Sequence, residues 1–288
     1  MRRRHVRPTR YAAVFCSLLL VSFAALGATA PPLGTTGSYG IVSDTFTNSN
    51  TGTQSDINGD VCYTTGPMTP PITITGSTAV PCAPAAGVDQ GAALALLLGQ
   101  PCTSLGAGAV ALDAVVVGAN PPGVIPPGCY SSGGAMDITL STTVTLRGNG
   151  VYVFRPGGAL NTGDNSQVTL ANGACAGDVY WAPVGATTLG ANAATTTTPT
   201  FVGNIIDASG ITIGHFANLA GRALAFGGTV TTDAVTITVP ACLVIAGPIS
   251  VPVPTLSAWA VALLATLMLG FGAFLLLKRT RERDSPTA

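Results

Sequence analysis

One short pattern constrains the fold more than any other: an apolar-Thr-apolar triplet that recurs along the second half of the chain. It reads Val144-Thr145-Leu146, Val168-Thr169-Leu170, Ile211-Thr212-Ile213 and Val235-Thr236-Ile237, with a looser copy at Thr187-Thr188-Leu189. The central threonines are spaced 24, 19, 24 and 24 residues apart. A recurrence on this scale is the signature of a stacked repeat architecture. Neighbouring side chains on a strand point to opposite faces, so the flanks of each triplet should enter a core while the threonine points out. The spacing predicts that Thr145, Thr169, Thr188, Thr212 and Thr236 form one outward column. Ile72-Thr73-Ile74 and Ile138-Thr139-Leu140 are further triplets outside this register.

Composition agrees with strands and turns. Between Pro31 and Ser250 there is no Glu and no Lys, whereas Thr, Gly, Val and Ala abound. The exception is Val88 to Leu98, whose Ala and Leu residues favour a helix near 86–98, bounded by Pro84 and by Gly99-Gln100-Pro101.

The chain of 288 residues has two ends of different character. Residues 1–30 carry Arg2, Arg3, Arg4, Arg7 and Arg10, then an apolar stretch from Tyr11 to Leu26, then Ala28-Thr29-Ala30. This is the layout of a cleaved export signal, with an uncleaved anchor as the alternative. Residues 31–242 form the body and 243–252 a Pro-containing linker. The segment 253–284 holds twenty uncharged residues from Ala258 to Leu277, followed by Lys278, Arg279, Arg281 and Arg283. That length crosses a bilayer core, and the basic cluster belongs on the cytoplasmic side. A C-terminal transmembrane helix is therefore expected.

The formal net charge of zero conceals an acidic body. Nine of the twelve basic residues lie in the two ends, leaving Arg147, Arg155 and Arg222 against ten aspartates, a net −7. Nucleic acid is a poor partner for such a surface. Cys62, Cys82, Cys102, Cys129, Cys175 and Cys242 remain after the signal; an even number in an exported chain suggests three disulfides, with 15 possible connectivities.

Candidate chemistry is sparse. There is no C-x-x-C pair and His215 is the only histidine of the body, which argues against zinc. Asp56-Ile57-Asn58-Gly59-Asp60 begins like a calcium loop, but Pro67 stands where a bidentate Glu is needed. The aspartates are scattered rather than paired, as glycoside chemistry would want, and no G-x-S-x-G elbow accompanies His215. No enzyme, cofactor or metal is expected.

Several ordered motifs resemble one family. Val151-Tyr152-Val153-Phe154-Arg155-Pro156-Gly157-Gly158-Ala159-Leu160 is similar to the solenoid-turn signature of the ice-binding proteins. Val179-Tyr180-Trp181, Phe201-Val202-Gly203-Asn204-Ile205, Gly221-Arg222-Ala223-Leu224-Ala225 and Val235-Thr236-Ile237-Thr238-Val239-Pro240 continue the resemblance. Leu33 to Tyr39 and Ile57 to Val61 match its opening. The resemblance implies a mainly β fold: a right-handed parallel β-solenoid of triangular cross-section, one α-helix alongside, and an N-terminal segment that joins the stack out of sequence. It also implies ice as the partner, bound by a flat threonine-rich face. The family's Thr-Ala/Gly-x-Thr/Asn motif is matched at Thr75-Gly76-Ser77-Thr78 and at Thr162-Gly163-Asp164-Asn165. Thr75, Thr78, Thr162 and Asn165 are thus candidates beside the five-threonine column. A structural or adhesive surface protein without ice affinity is the competing expectation.

A second resemblance lies at the C-terminus. Val253, Pro254, Thr255, Leu256, Ser257 and Trp259 look like the sorting signal Ile-Pro-Thr-Leu-Ser-x-Trp read by exosortase-like transpeptidases. It implies a temporary inner-membrane anchor, then cutting and delivery to the cell surface; a permanent single-span anchor is the alternative.

Overall fold

Among the described residues, twenty strands and one long helix build the body, and the strands pair in parallel. The structure is a computed structural model, and it describes residues 27–49, 51–65, 72–193 and 198–242. The leader, the linker, the sorting motif and the expected span lie wholly or largely outside the described residues. Among the described residues no helix is long and apolar enough to cross a membrane.

The strands stack as ladders on three sides of a coil. On the first side Gly128–Ser132, Tyr152–Pro156, Val179–Trp181, Phe201–Ile206 and the start of Asn218–Thr232 pair in succession. Tyr39–Asn48 then follows the last of these, and Asp60–Thr65 follows it in turn. The N-terminal segment therefore enters the stack beside residues about 180 positions later, as the resemblance implied. On the second side Val110–Ala111, Met136–Ile138, Leu160–Thr162, Thr187–Leu189 and Ile211–Ile213 form a ladder. It continues into the second halves of Asn218–Thr232 and Tyr39–Asn48. The third side holds Val124–Ile125, Thr143–Arg147 and Gln167–Ala171, and Asp56–Asn58 lies between Thr236–Thr238 and Thr73–Ile74 in a further ladder.

Alternation fills the interior as the sequence predicts. Val144, Leu146, Val168, Leu189, Ile211, Ile213, Val235 and Ile237 are all buried. Register places Tyr130, Phe154 and Trp181 in one inward column. Phe154 and Trp181 stack at 4.2 Å, and Phe201 tilts against Trp181 at 5.0 Å. The indole N–H, sealed from water, donates to the Val202 carbonyl at 2.9 Å, which meets the need of a buried donor for a partner.

Helix α1 (Pro84–Gly99) covers the first side and starts with proline, whose missing N–H costs nothing in a first turn. Ala86, Ala93 and Leu97 pack on Val42, Val153 and Leu224. Gly87 allows close approach: a β-carbon there would lie 2.4 Å from the Phe226 ring. Gln90 Oε1 accepts the Phe226 N–H, and the Asp89 carboxylate accepts Thr35 N–H and hydroxyl at 2.7 Å. The cysteines pair as Cys62–Cys82, Cys102–Cys129 and Cys175–Cys242. The first two tie the chain to the solenoid just before and just after α1.

Two arginines act as braces. Arg222 donates through Nε and Nη2 to the Gly37 carbonyl and through Nη1 to Asn204 Oδ1 at 2.7 Å. Asn204 in turn donates to the carbonyls of Gly177 and Val179, so one network joins four separated segments. Arg155 Nη1 donates to the Gln100 carbonyl at 2.6 Å, at the end of α1.

Trp181→Ala should cost about 3–5 kcal/mol, because it opens a cavity in the aromatic column and removes the indole's bond to the Val202 carbonyl. Denaturant unfolding followed by circular dichroism would measure it; a loss below about 1 kcal/mol would contradict this view of the core.

Candidate functional site

The five threonines do not form one column. Thr145 and Thr169 pair with each other on the third side, with hydroxyl oxygens 3.3 Å apart. Thr188 and Thr212 pair on the second side. Thr236 pairs with Asn218 and Asp56 in a separate ladder. The reason is that equal sequence spacing does not mean equal position on a three-sided coil. From Thr145 to Thr169, and from Thr188 to Thr212, 24 residues make one full turn. From Thr212 the next turn closes at Thr231, only 19 residues on. The 24-residue step to Thr236 overshoots onto another ladder.

The second side carries the longest continuous array of threonines given by the strand register. Successive pairings align Asp137, Asn161, Thr188, Thr212, Thr231 and Thr47 in one outward column. Beside it, two residues earlier on their strands, run Thr229, Thr45 and Thr65. Their inward neighbours, Leu160, Ile211, Val230 and Phe46, are fully buried and fix the backbone from behind. Adjacent coils lie about 4.8 Å apart and alternate residues on a strand about 6.6 Å apart, so the hydroxyls and methyls form a two-dimensional grid. Thr47 and Thr231 approach to 2.8 Å between hydroxyl oxygens, and Thr45 and Thr65 to 3.2 Å. Asp137 is the single charge of the column and sits toward one end, held by Asn161 Nδ2 at 2.9 Å.

Thr45, Thr47, Thr65, Thr229 and Thr231 were invisible to a search for apolar-Thr-apolar triplets. Their signal is the inverse, Thr45-Phe46-Thr47 and Thr229-Val230-Thr231, in which two threonines flank one buried residue. At Thr187-Thr188-Leu189 the first threonine takes the inward place, and its hydroxyl donates to the buried Asp207 at 2.8 Å. Burial raises the Asp207 carboxyl above its ordinary range, against the opposing pull of the Thr187 bond.

The two Thr-Gly-x-Thr/Asn matches lie at corners. Thr75-Gly76-Ser77-Thr78 bridges the strands Thr73–Ile74 and Thr78–Ala79, and Asp60 Oδ1 accepts the N–H and hydroxyl of Ser77. In Thr162-Gly163-Asp164-Asn165 each polar side chain braces the next coil: Thr162 Oγ1 accepts from Gly190 N, Asp164 from Ala191 N, and Asn165 from Ala193 N. Asn165 adopts φ 56°, the left-handed turn conformation that asparagine tolerates.

Other candidate chemistry is likewise drawn into the scaffold. His215 lies against Phe216, and its Nδ1 is 3.2 Å from Asp233 Oδ2. Cys175, Asp178 and Cys242 cluster together, but both sulfurs belong to a disulfide. Several carboxylates are held low by hydrogen bonds: those from Ser38 and Ser77 lower Asp60, and those from Thr35 lower Asp89 on α1. At Asp113 burial pushes upward, yet the bonds from Thr139 carry the carboxyl below its usual value.

A family model described as Ice-binding-like matches residues 41–238, most of the body. The chain belongs to the Ice-binding-like family. A second model, the IPTL-CTERM motif, matches residues 251–281. An ice-binding protein of Flavobacterium frigoris is 33% identical over 116 residues, and ice-binding protein 1 of Shewanella frigidimarina 37% over 110. These matches span 40% and 36% of this chain and only 40% and 12% of those relatives. Among solved structures, an ice-binding protein from an Antarctic biological consortium superposes with TM-score 0.62 at 23% identity, covering 82% of this chain and 97% of its own. That likeness concerns the fold alone. The ice-binding protein of the Antarctic ascomycete Antarctomyces psychrotrophicus is 28% identical with TM-score 0.61, covering 74% and 100%. Family membership thus agrees with the solenoid, its helix and its out-of-sequence N-terminal coil.

The shifted carboxyls predict an acid-side stability maximum. Asp178 and Asp207 have raised values, so their contribution is present at low pH and lost as pH rises through those values. Asp60, Asp89 and Asp113 have lowered values, so theirs is present above 3.8 and lost as pH falls through the folded values. Melting temperature should rise slightly on acidification from neutrality and fall below about pH 3.8; a monotonic fall from pH 7 would contradict the raised values of Asp178 and Asp207.

Proposed function

We propose that this protein binds ice through the grid centred on Thr188, Thr212, Thr231 and Thr47. The observation that carries the proposal is the register of that column, which repeats one side chain on successive coils with one charged residue and no aromatic among them. Ice offers a periodic lattice of hydrogen-bonding sites without net charge, so its partner should be periodic, rigid and uncharged. Threonine supplies a hydroxyl and a methyl on one carbon, and its branched side chain has little rotamer freedom to lose. The hydroxyls hydrogen-bond water, and the methyls order the layer above them. A stiff backbone limits the entropy lost on adsorption. The names of the relatives support the same reading, and the lack of aromatics and clustered charges disfavours an adhesive face for glycan or protein.

The finer architecture follows from the same observations. Three ladders per turn support a triangular cross-section, and right-handed coiling is what parallel strands with short crossovers adopt. The export leader, the C-terminal span and an exosortase-like transpeptidase acting at Val253-Pro254-Thr255-Leu256-Ser257 complete the proposal. They would carry the body to the cell surface, where it would hold or restrain ice. The IPTL-CTERM match supports that route.

The test separates the sides of the coil. Thr212→Tyr should abolish most ice-recrystallisation inhibition while far-ultraviolet circular dichroism stays unchanged, because the ring projects from an outward position. Thr145→Tyr, on the third side, should retain activity. Equal activity in both variants would rule out the proposed face, and no activity in the native exported protein at micromolar concentration would rule out the function.

A further inference from the structure

By pattern alone, Ala28-Thr29-Ala30 invites a signal-peptidase cut after Ala30. The structure gives these residues other work. Thr29 lies at the carboxyl end of α1, where its N–H donates to Gln100 Oε1 at 2.9 Å and its carbonyl accepts from Gln100 Nε2 at 2.7 Å. One side-chain amide is thus paired through both its atoms with the backbone of a single residue. Ala28 packs against the apolar cluster under the helix. A cut after Ala30 would discard every one of these contacts. It would also fall on an X–Pro bond, a tertiary amide whose ring nitrogen carries no N–H.

Gly27 is different. A β-carbon built there meets no atom within 4 Å, so a side chain at the position would stand in open space. In the sequence, Ala25 and Gly27 place small side chains at the two sites a signal peptidase reads for a cut between Gly27 and Ala28.

We propose that signal peptidase cuts between Gly27 and Ala28, and that residues 28–30 are the docked N-terminus of the mature protein. This rests on the reading of the leader as a cleaved export signal. The cut consumes one water: the Gly27–Ala28 amide breaks, the hydroxyl passes to the Gly27 carbonyl carbon, and the proton goes to the Ala28 nitrogen. The new Gly27 carboxylic acid then gives up its proton, and with that second proton the Ala28 nitrogen becomes the α-ammonium of the mature chain, one residue from the Gln100 contact.

The experiment is intact mass and N-terminal sequencing of the exported full chain. A first residue of Ala28 is the expected result, and a first residue of Pro31 or later overturns the proposal. A product that still begins at Met1 overturns the underlying export reading instead. Gly27→Leu puts a bulky side chain next to the cut without touching the fold, and should remove most of the processed form; unchanged processing would overturn the site. Gln100→Ala in the processed protein should lower the melting temperature by roughly 2–4 °C. No shift would mean that residues 28–30 are absent or idle, which also overturns the proposal.

Discussion

The in-register parallel ladder is the constraint from which the rest of this molecule follows. Each coil donates and accepts backbone hydrogen bonds with the coils on both sides, so residues at equivalent positions are held at a fixed spacing. That single regularity does two things at once. Inward it lines up Tyr130, Phe154 and Trp181 as a continuous apolar column. Outward it lines up Thr188, Thr212, Thr231 and Thr47. The outer grid is as rigid as the core behind it because both belong to the same strands.

The three sides are treated differently. One is closed by α1, whose Ala86, Ala93 and Leu97 cover apolar side chains that would otherwise face water. Disulfides from Cys82 and Cys102 hold the chain on either side of that helix, and Arg155 and Arg222 satisfy carbonyls along the same region. Covalent and charged braces are concentrated there, away from the threonine face, where charge would order water in a pattern of its own. Asp60, Asp113 and Asp164, at or beside strand ends, each accept a backbone N–H from a neighbouring coil. An acidic body and a nearly uncharged face are therefore compatible.

Much of the fold was legible because strand alternation is a local property. Val144-Thr145-Leu146 and Ile211-Thr212-Ile213 both point their threonine outward, as their patterns require. The helix was legible from the lone run of Ala and Leu, although it starts at Pro84 rather than within the run. The side of the coil on which each triplet falls was not legible. That depends on the summed lengths of corners, and the step from Thr212 to Thr231 is shorter than the steps before it. The contribution of Thr45 and Thr47 was hidden for a deeper reason: Tyr39–Asn48 enters the stack beside Asn218–Thr232, and no local periodicity can announce a partner so distant in sequence. The disulfide pairing was hidden likewise, since connectivity follows from which coils are neighbours.

The account reduces to the claim that a planar lattice of threonine side chains recognises a crystalline lattice of water. Slow freezing of a solution of the exported protein onto a cold finger tests this most directly, by measuring how it distributes between ice and liquid. Entry into the growing ice, well above that of an inert protein of similar size frozen alongside, is the predicted result. Exclusion to the same extent as the inert protein would contradict the claim.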